Sequence, residues 1–332
     1  MSTATPAKLK SLRALLITKP HQEVLRMYLQ KSEIGLLKDA ILVTLHRKWS
    51  AHPPYHLTEL GITTYDRQRV NNGQPTLAGP QAENLFKHVW CLHLRIRPNA
   101  HLPSASGDPN AYHFGTTVYV SQEEAMGMLH DIWHQPMDET YSRGFRPIVY
   151  MSFGDNDGVG KVRKEAFGFD PSSVDTTVAV LDAQYIAVQA KITSSTTAPL
   201  EYILRQFKIK PFDVDNGGNA AMYTTVVAIL STLRKELYTS AENPRAKAGQ
   251  KGQSTSKSAQ SVMQWLMEWP TPAPPYGVPI YCWRCGSAAH SFAECPNSDL
   301  ECSKCTNSPH AWRKANAGTH MEGLCVFRRM HW

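Results

Sequence analysis

The residues best equipped for chemistry lie between Tyr281 and Cys325, a stretch that holds six of the seven cysteines. Its first half presents Cys282, Cys285, His290 and Cys295, with two residues between the first pair and four in each later gap. Three thiolates and one imidazole at that spacing can close a tetrahedron around Zn²⁺. A loop so short buries no core of its own, so metal binding would have to supply its folding free energy. Cys302, Cys305 and Cys325 form a second set, stretched by an insertion. Two histidines compete to complete it: His310 keeps the four-residue gap after Cys305, and His320 keeps the four-residue gap before Cys325. Free thiols and disulfides are the alternatives. Without a secretory signal, Cys/His sets at ligand spacing point instead to metal in a reducing compartment, and to two zinc ions as cofactors.

The first set resembles the CCHC zinc knuckle of retroviral nucleocapsid and cellular RNA-binding proteins. Trp283, Gly286 and Phe292 stand where knuckles carry an aromatic, a turn glycine and an apolar residue, while Ala289 departs from the glycine before the histidine. Gly318 ahead of Thr319 and His320 repeats that glycine in the second set and favours His320 over His310. The insertion carries Trp312, Arg313 and Lys314. The resemblance implies single-stranded nucleic acid as partner, RNA favoured over DNA. Bases would stack on Trp283, Phe292 and Trp312 while Arg284, Lys304, Arg313 and Lys314 meet phosphates. The plainer reading of the aromatics is that they cover the zinc loops.

A chain of 332 residues with 42% hydrophobic content is long enough for a real core plus an appendage. The net charge of +7 is concentrated at the ends: residues 1–31 hold six Lys/Arg against one acid, and residues 240–332 hold ten against six. Basic ends can attract phosphate without charging the folded centre. No apolar run is long enough to span a membrane. The expected setting is intracellular, cytoplasm or nucleus ahead of mitochondria.

The elements that must position these residues follow from periodicity. Residues 9–36 read as helix broken near Pro20, and Ile41–Leu45 and His56–Tyr65 as two strands of a hairpin. Trp90–Ile96 is a third strand, with Cys91 on its opposite face. A Pro/Asn/Gly loop spans 98–112, and Ser121 with Glu124 starts a helix at capping-box spacing. Arg146–Ser152 and Thr176–Asp182 read as strands, and Gly158–Phe167, Leu200–Phe207 and Asn219–Tyr238 as helices. Residues 239–257 have linker composition, Ser261–Trp269 form a short apolar helix, and Pro270–Pro279 are a semi-rigid spacer holding the zinc tail off the domain. The expected domains are therefore a basic helical segment (1–36), an α/β domain (37–238), a linker (239–280) and a tandem zinc module (281–332). The fold class is α/β, a mixed sheet flanked by helices with a small zinc-dependent module appended.

Three stretches together resemble fungal ribonuclease H-like domains related to DEDD-type (DnaQ-like) 3′-to-5′ exonucleases. They are Ile41–Asp66 with Thr-Glu-Leu-Gly at 58–61, His113–Trp133, and Arg146–Leu233 with Asn-Gly-Gly-Asn at 216–219. The resemblance implies four carboxylates holding two Mg²⁺ or Mn²⁺ ions, with a His or Tyr as base. The family's Asp-x-Glu falls on His46 and Lys48 here, its base position on Asp215 and its last acid on Ala220. Asp155 and Asp157 are left for the middle acid, and Glu59 and Asp182 are the other surviving acids. That pattern argues against a Mg²⁺ or Mn²⁺ pair and for a pseudo-exonuclease that binds nucleic acid. Two alternatives stand beside it. One is a divergent metal-dependent 3′-to-5′ exonuclease using Asp155, Asp157, Glu59 or Asp182. The other is a protein-interaction adaptor docking a protein partner through 261–279 or the zinc module.

Overall fold

The computed structural model describes residues 3–30, 35–70, 76–154, 167–238 and 258–329. β1 (Ile41–Trp49) and β2 (Leu57–Asp66), buried along most of their length, pair as an antiparallel hairpin, extended by β3 (Val89–Ile96). β5 (Ile148–Ser152) joins β1 in parallel and β6 (Thr177–Asp182) joins β5 in parallel, while β4 (Thr117–Val120) lies parallel to β3. The resulting order is β4-β3-β2-β1-β5-β6. Period-two alternation gives each strand two apolar faces. Val43, Leu45, Trp49, Leu60, Ile62, Leu92 and Leu94 pack beneath α4 (Gln122–Trp133), whose Ser121 and Glu124 form the expected capping box.

The opposite face is covered by α1 (Pro6–Leu16), α2 (His21–Gln30), α5 (Ala183–Gln189), α6 (Leu200–Gln206) and α7 (Gly217–Thr232), α3 (Glu83–Phe86) lying beside β3. Helix α7 is buried along all sixteen residues, which explains its lack of a polar stripe. Its N-terminus rests directly on β2: a Cβ on Gly61 would sit 1.8 Å from the Gly217 carbonyl oxygen. The glycines of Thr-Glu-Leu-Gly and of Asn-Gly-Gly-Asn thus let two backbones touch.

Several expectations are corrected. The helix expected over Asn219–Tyr238 starts at Gly217 and stops at Thr232, and α8 (Arg234–Tyr238) follows it. β4 and α5 were not read from sequence, because a four-residue strand after a long loop carries almost no period. The helix expected at Gly158–Phe167 lies, except for its last residue, outside the described residues, as do Asp155 and Asp157 and the linker stretch 239–257. Most consequentially, Pro270–Pro279 is no spacer holding the tail off the domain, and the short helix before it docks on the core. Helix α9 (Ala259–Glu268) buries Val262, Met263 and Leu266 in the main core. Thr271 then bonds to Phe114 and Cys91, and Val278 exchanges both backbone hydrogen bonds with Tyr119. The segment covers the otherwise open edge of β4, which protects it from pairing with another chain.

The basic N-terminus is structural as well. Arg13 donates to the carbonyls of Thr177 (2.7 Å) and Val174 (2.9 Å), and Arg26 to that of Thr232 (2.7 Å). These two cations are occupied in holding α1 and α2 against the sheet.

Candidate metal centres and the cleft beside β1

The tail folds into two small lobes. In the first, the Cys282 carbonyl accepts from Gly286 N–H (2.7 Å) and the Cys282 N–H donates to Ser287 (2.8 Å). Gly286, at φ +80°, makes that turn. Cys282, Cys285, His290 and Cys295 converge with their ligand atoms within 4.8 Å of one another, Cys285 Sγ lying 3.3 Å from His290 Nε2. In the second, Cys302, Cys305, His320 and Cys325 converge in the same way and all four are buried. Cys305 Sγ lies 3.7 Å from both Cys325 Sγ and His320 Nε2. A tetrahedron with Zn–S bonds of about 2.3 Å has S···S edges of about 3.8 Å, so the donors stand where zinc needs them. His320 completes the set as favoured, and His310 is exposed beside Trp312.

The second shell fits as well. His320 Nδ1–H donates to Thr319 Oγ1 (3.1 Å), whose hydroxyl donates to the Asn316 carbonyl (2.8 Å), leaving the Nε2 lone pair for a metal. The thiols themselves argue for a cation. The bond shared with Cys325, and burial, push Cys305 far above the usual thiol range, while the same bond holds Cys325 well below it. A bound cation would offset the repulsion between them and let both be thiolates. Both Cys₃His sets therefore fit zinc.

The aromatics singled out from sequence are engaged. Trp283 and Phe292 stack at 4.8 Å and 8°, Arg95 lies 4.7 Å over Trp283, and Arg284 lies 4.2 Å over Phe292. Trp312 stacks on His52 at 4.7 Å and meets Phe327 edge-on. Arg313 is 7% exposed, its guanidinium 4.5 Å over Phe327. Lys304 and Lys314 are exposed, and Lys304 pairs with Glu322 at 3.6 Å. The lobes are fastened to the domain rather than held off it: Tyr281 packs on Tyr119, Leu102 joins the buried cysteines of the second lobe, and the His101 and His320 rings lie 4.0 Å apart.

Beside β1, alternation aims Thr44, His46 and Lys48 at α7. Thr44 and Thr63 both bond to Thr225 (2.7 Å each), and His46 Nε2 bonds to Thr224 (2.8 Å). Lys48 Nζ lies 3.1 Å from Ser106 Oγ and 3.7 Å from Asp215. Ala220 is buried within α7. Across the hairpin from Lys48, Glu59 is 1% exposed and accepts from His93 Nε2 and from the Gly217 N–H, both at 3.0 Å. His93 Nδ1 pairs with Thr117 at 2.9 Å. Asp182 caps α5, accepting from the N–H groups of Gln184 (2.7 Å) and Gly154 (3.0 Å). Among the described residues, the two Cys₃His sets are the groups of three or more His, Cys, Asp or Glu donors close enough to share an ion.

His93 and Arg95 were missed in the sequence, although the signal was present. On β3 they alternate with Leu92 and Leu94, so an imidazole and a guanidinium had to face into the layer between sheet and α7 or the tail.

Burial alone would raise the Glu59 carboxyl, but the hydrogen bond and charge of His93, the Gly217 N–H and Arg95 outweigh it and hold it below the usual range. Asp66 behaves alike, since its paired hydrogen bonds to Arg146 (2.5 and 2.6 Å) outweigh burial. For carboxylates depressed in the folded state, the stabilisation is complete above the unfolded value of about 4 and is lost as pH falls through the folded value. The urea midpoint is therefore expected to fall steeply below about pH 4, and less steeply in Glu59→Gln protein. Identical acid limbs would remove Glu59 as a source.

The fold agrees with the comparison of sequences. No curated protein matches the chain. Residues 41–231 match the family described as DNA polymerase III subunit epsilon-like, C-terminal domain, and this span covers the whole hairpin, the sheet and nearly all of α7. With more than half its length in that match, the chain belongs to this family of DnaQ-like exonuclease domains, and carries two zinc-type Cys₃His lobes behind it.

Proposed function

We propose that the chain is a zinc-loaded binder of single-stranded nucleic acid, RNA in preference to DNA, built on an exonuclease-type domain that does not cut. The observation that carries this reading is Lys48, whose ammonium stands beside Asp215 at the end of β1. In the resemblance to DEDD exonucleases that position belongs to a metal carboxylate, as does that of His46. A unit charge at about 4 Å from a cation is repelled by on the order of 4 kcal/mol in a partly screened site, and a divalent ion feels twice that. Glu59 and Asp182 do not compensate, because each is committed to hydrogen bonds that organise a helix start.

Binding is supported by the exposed Lys304 and Lys314 on the second lobe and by zinc, which would rigidify both lobes. Arg284, Arg313, Trp283 and Phe292 serve as the internal stacking that shapes these lobes. A reducing compartment, cytoplasm or nucleus, suits six liganded thiolates.

A salt series on labelled single-stranded RNA tests the reading. Each phosphate neutralised contributes a slope of about −0.7 in log K against log salt for single strands. Lys304→Glu/Lys314→Glu protein is expected to bind more weakly, with a shallower slope by about one to one and a half. Affinity independent of salt, or none, would favour the adaptor.

A further inference from the structure

The β1–β2 turn encloses a cavity that the cleft beside β1 does not use. It lies on the α4 side of the sheet, has a volume of about 220 Å³ and is lined by Trp49, Tyr55, His56, Leu57, Ile96, Asn99, Gln122 and Phe167. Trp49, Leu57, Ile96 and Phe167 also belong to the core under α4, so the floor is rigid and apolar. The wall is not. His56 Nε2 is buried and has no hydrogen-bond partner among the described residues, whereas the neighbouring Asn99 Nδ2 is satisfied by the Leu57 carbonyl at 2.7 Å. A buried, unsatisfied ring nitrogen in a cavity wall is costly unless something in the cavity meets it.

The ligand chemistry follows from size and lining. Drug-sized sites begin near 300 Å³, so this one suits a single planar fragment. Aromatic walls favour a flat π-face, and one ring nitrogen offers one hydrogen bond to its edge. A nucleobase has both features. The position also suits a strand bound by the tail: the same turn carries His52, stacked on Trp312, and His56, whose ring lies 6.0 Å from that of Phe327 in the second zinc lobe.

We infer that the cavity between the β1–β2 turn and α4 is a subsite for one unpaired base of a strand held by the second zinc lobe, with Trp49 in the floor, Tyr55 in the wall and His56 Nε2 bonded to the base edge. The inference rests on the nucleic-acid reading for its ligand. Gln122, exposed at the first position of α4, borders the cavity, so Gln122→Trp fills it from outside without touching the core.

The experiment uses zinc-loaded full-length protein and a labelled single-stranded RNA of about twelve residues containing 4-thiouridine, with crosslinks mapped by mass spectrometry and affinity read by retardation. The expected result is crosslinking within 49–57, with affinity about ten-fold lower and those crosslinks absent in Gln122→Trp protein, since stacking one base is worth about 1–3 kcal/mol. His56→Phe, which keeps the ring, should lose affinity by a smaller factor and guards against a misfolded Gln122→Trp. Tight binding with no crosslink in 49–57 and unchanged affinity in both variants would overturn the subsite while leaving the nucleic-acid reading standing. No binding by the unaltered protein would overturn both.

Discussion

Glu59→Ala protein is expected to lose about 2–6 kcal/mol of folding stability, the cost of leaving two buried donors without the acceptor they share. Glu59 is 1% exposed and joins three elements through one oxygen: it sits on β2, accepts from His93 on β3 and accepts from the first N–H of α7. Its removal leaves a buried imidazole and a buried backbone N–H unsatisfied, at about 1–3 kcal/mol for each lost hydrogen bond. Glu59→Gln retains the shape and one acceptor and should cost less. Urea unfolding of the three proteins measures this directly. A loss below about 1 kcal/mol in the alanine variant would mean that the pair is not what seats α7 on the sheet.

The second large effect concerns zinc. Native mass spectrometry is expected to count two zinc ions per chain on the unaltered protein and one on Cys302→Ser protein. Structural zinc contributes on the order of 10 kcal/mol or more to folding such small modules, and the second lobe has little else: four buried donors, Leu102 borrowed from the domain, Ala317 and Phe327. Losing the ion should free the His101–His320 and His52–Trp312 contacts, so amides of 97–103 and of the β1–β2 turn exchange faster while β1–β3 stay protected. Two zinc ions in the variant, or an unchanged exchange pattern around 97–103, would contradict this assignment.

Much of the scaffold was legible in the chain because each feature leaves a local mark. β1 opens on an unbroken, β-branched apolar run, β2 and β3 alternate, Ser121 and Glu124 stand at capping-box spacing, and the metal ligands keep the spacing a tetrahedron needs. Spacing left His310 and His320 level, and Gly318 ahead of His320, where zinc knuckles carry a glycine, is what pointed to His320. What escaped was set by tertiary contact. β4 is too short to carry a period, and its partner segment at Val278 is proline-flanked and reads as a spacer. Trp283 and Phe292 looked available to bases, yet they are layered between Arg95 and Arg284, and Arg95 comes from β3, far away in sequence. Arg13 and Arg26 looked like a phosphate-seeking terminus, and their partners are carbonyl oxygens more than 160 residues away in the chain. Charge can be counted from a sequence, but its partners cannot.

The most direct test of the account incubates zinc-loaded full-length protein with labelled single-stranded RNA and DNA in the presence of Mn²⁺, following retardation and cleavage in the same reaction. The expected result is retardation of RNA that weakens with salt and is lost in Cys282→Ser protein, with a label that remains full length. Shortening of the strand from its 3′ end, abolished by Asp157→Ala, would contradict it and make the chain an active exonuclease with a rearranged metal site.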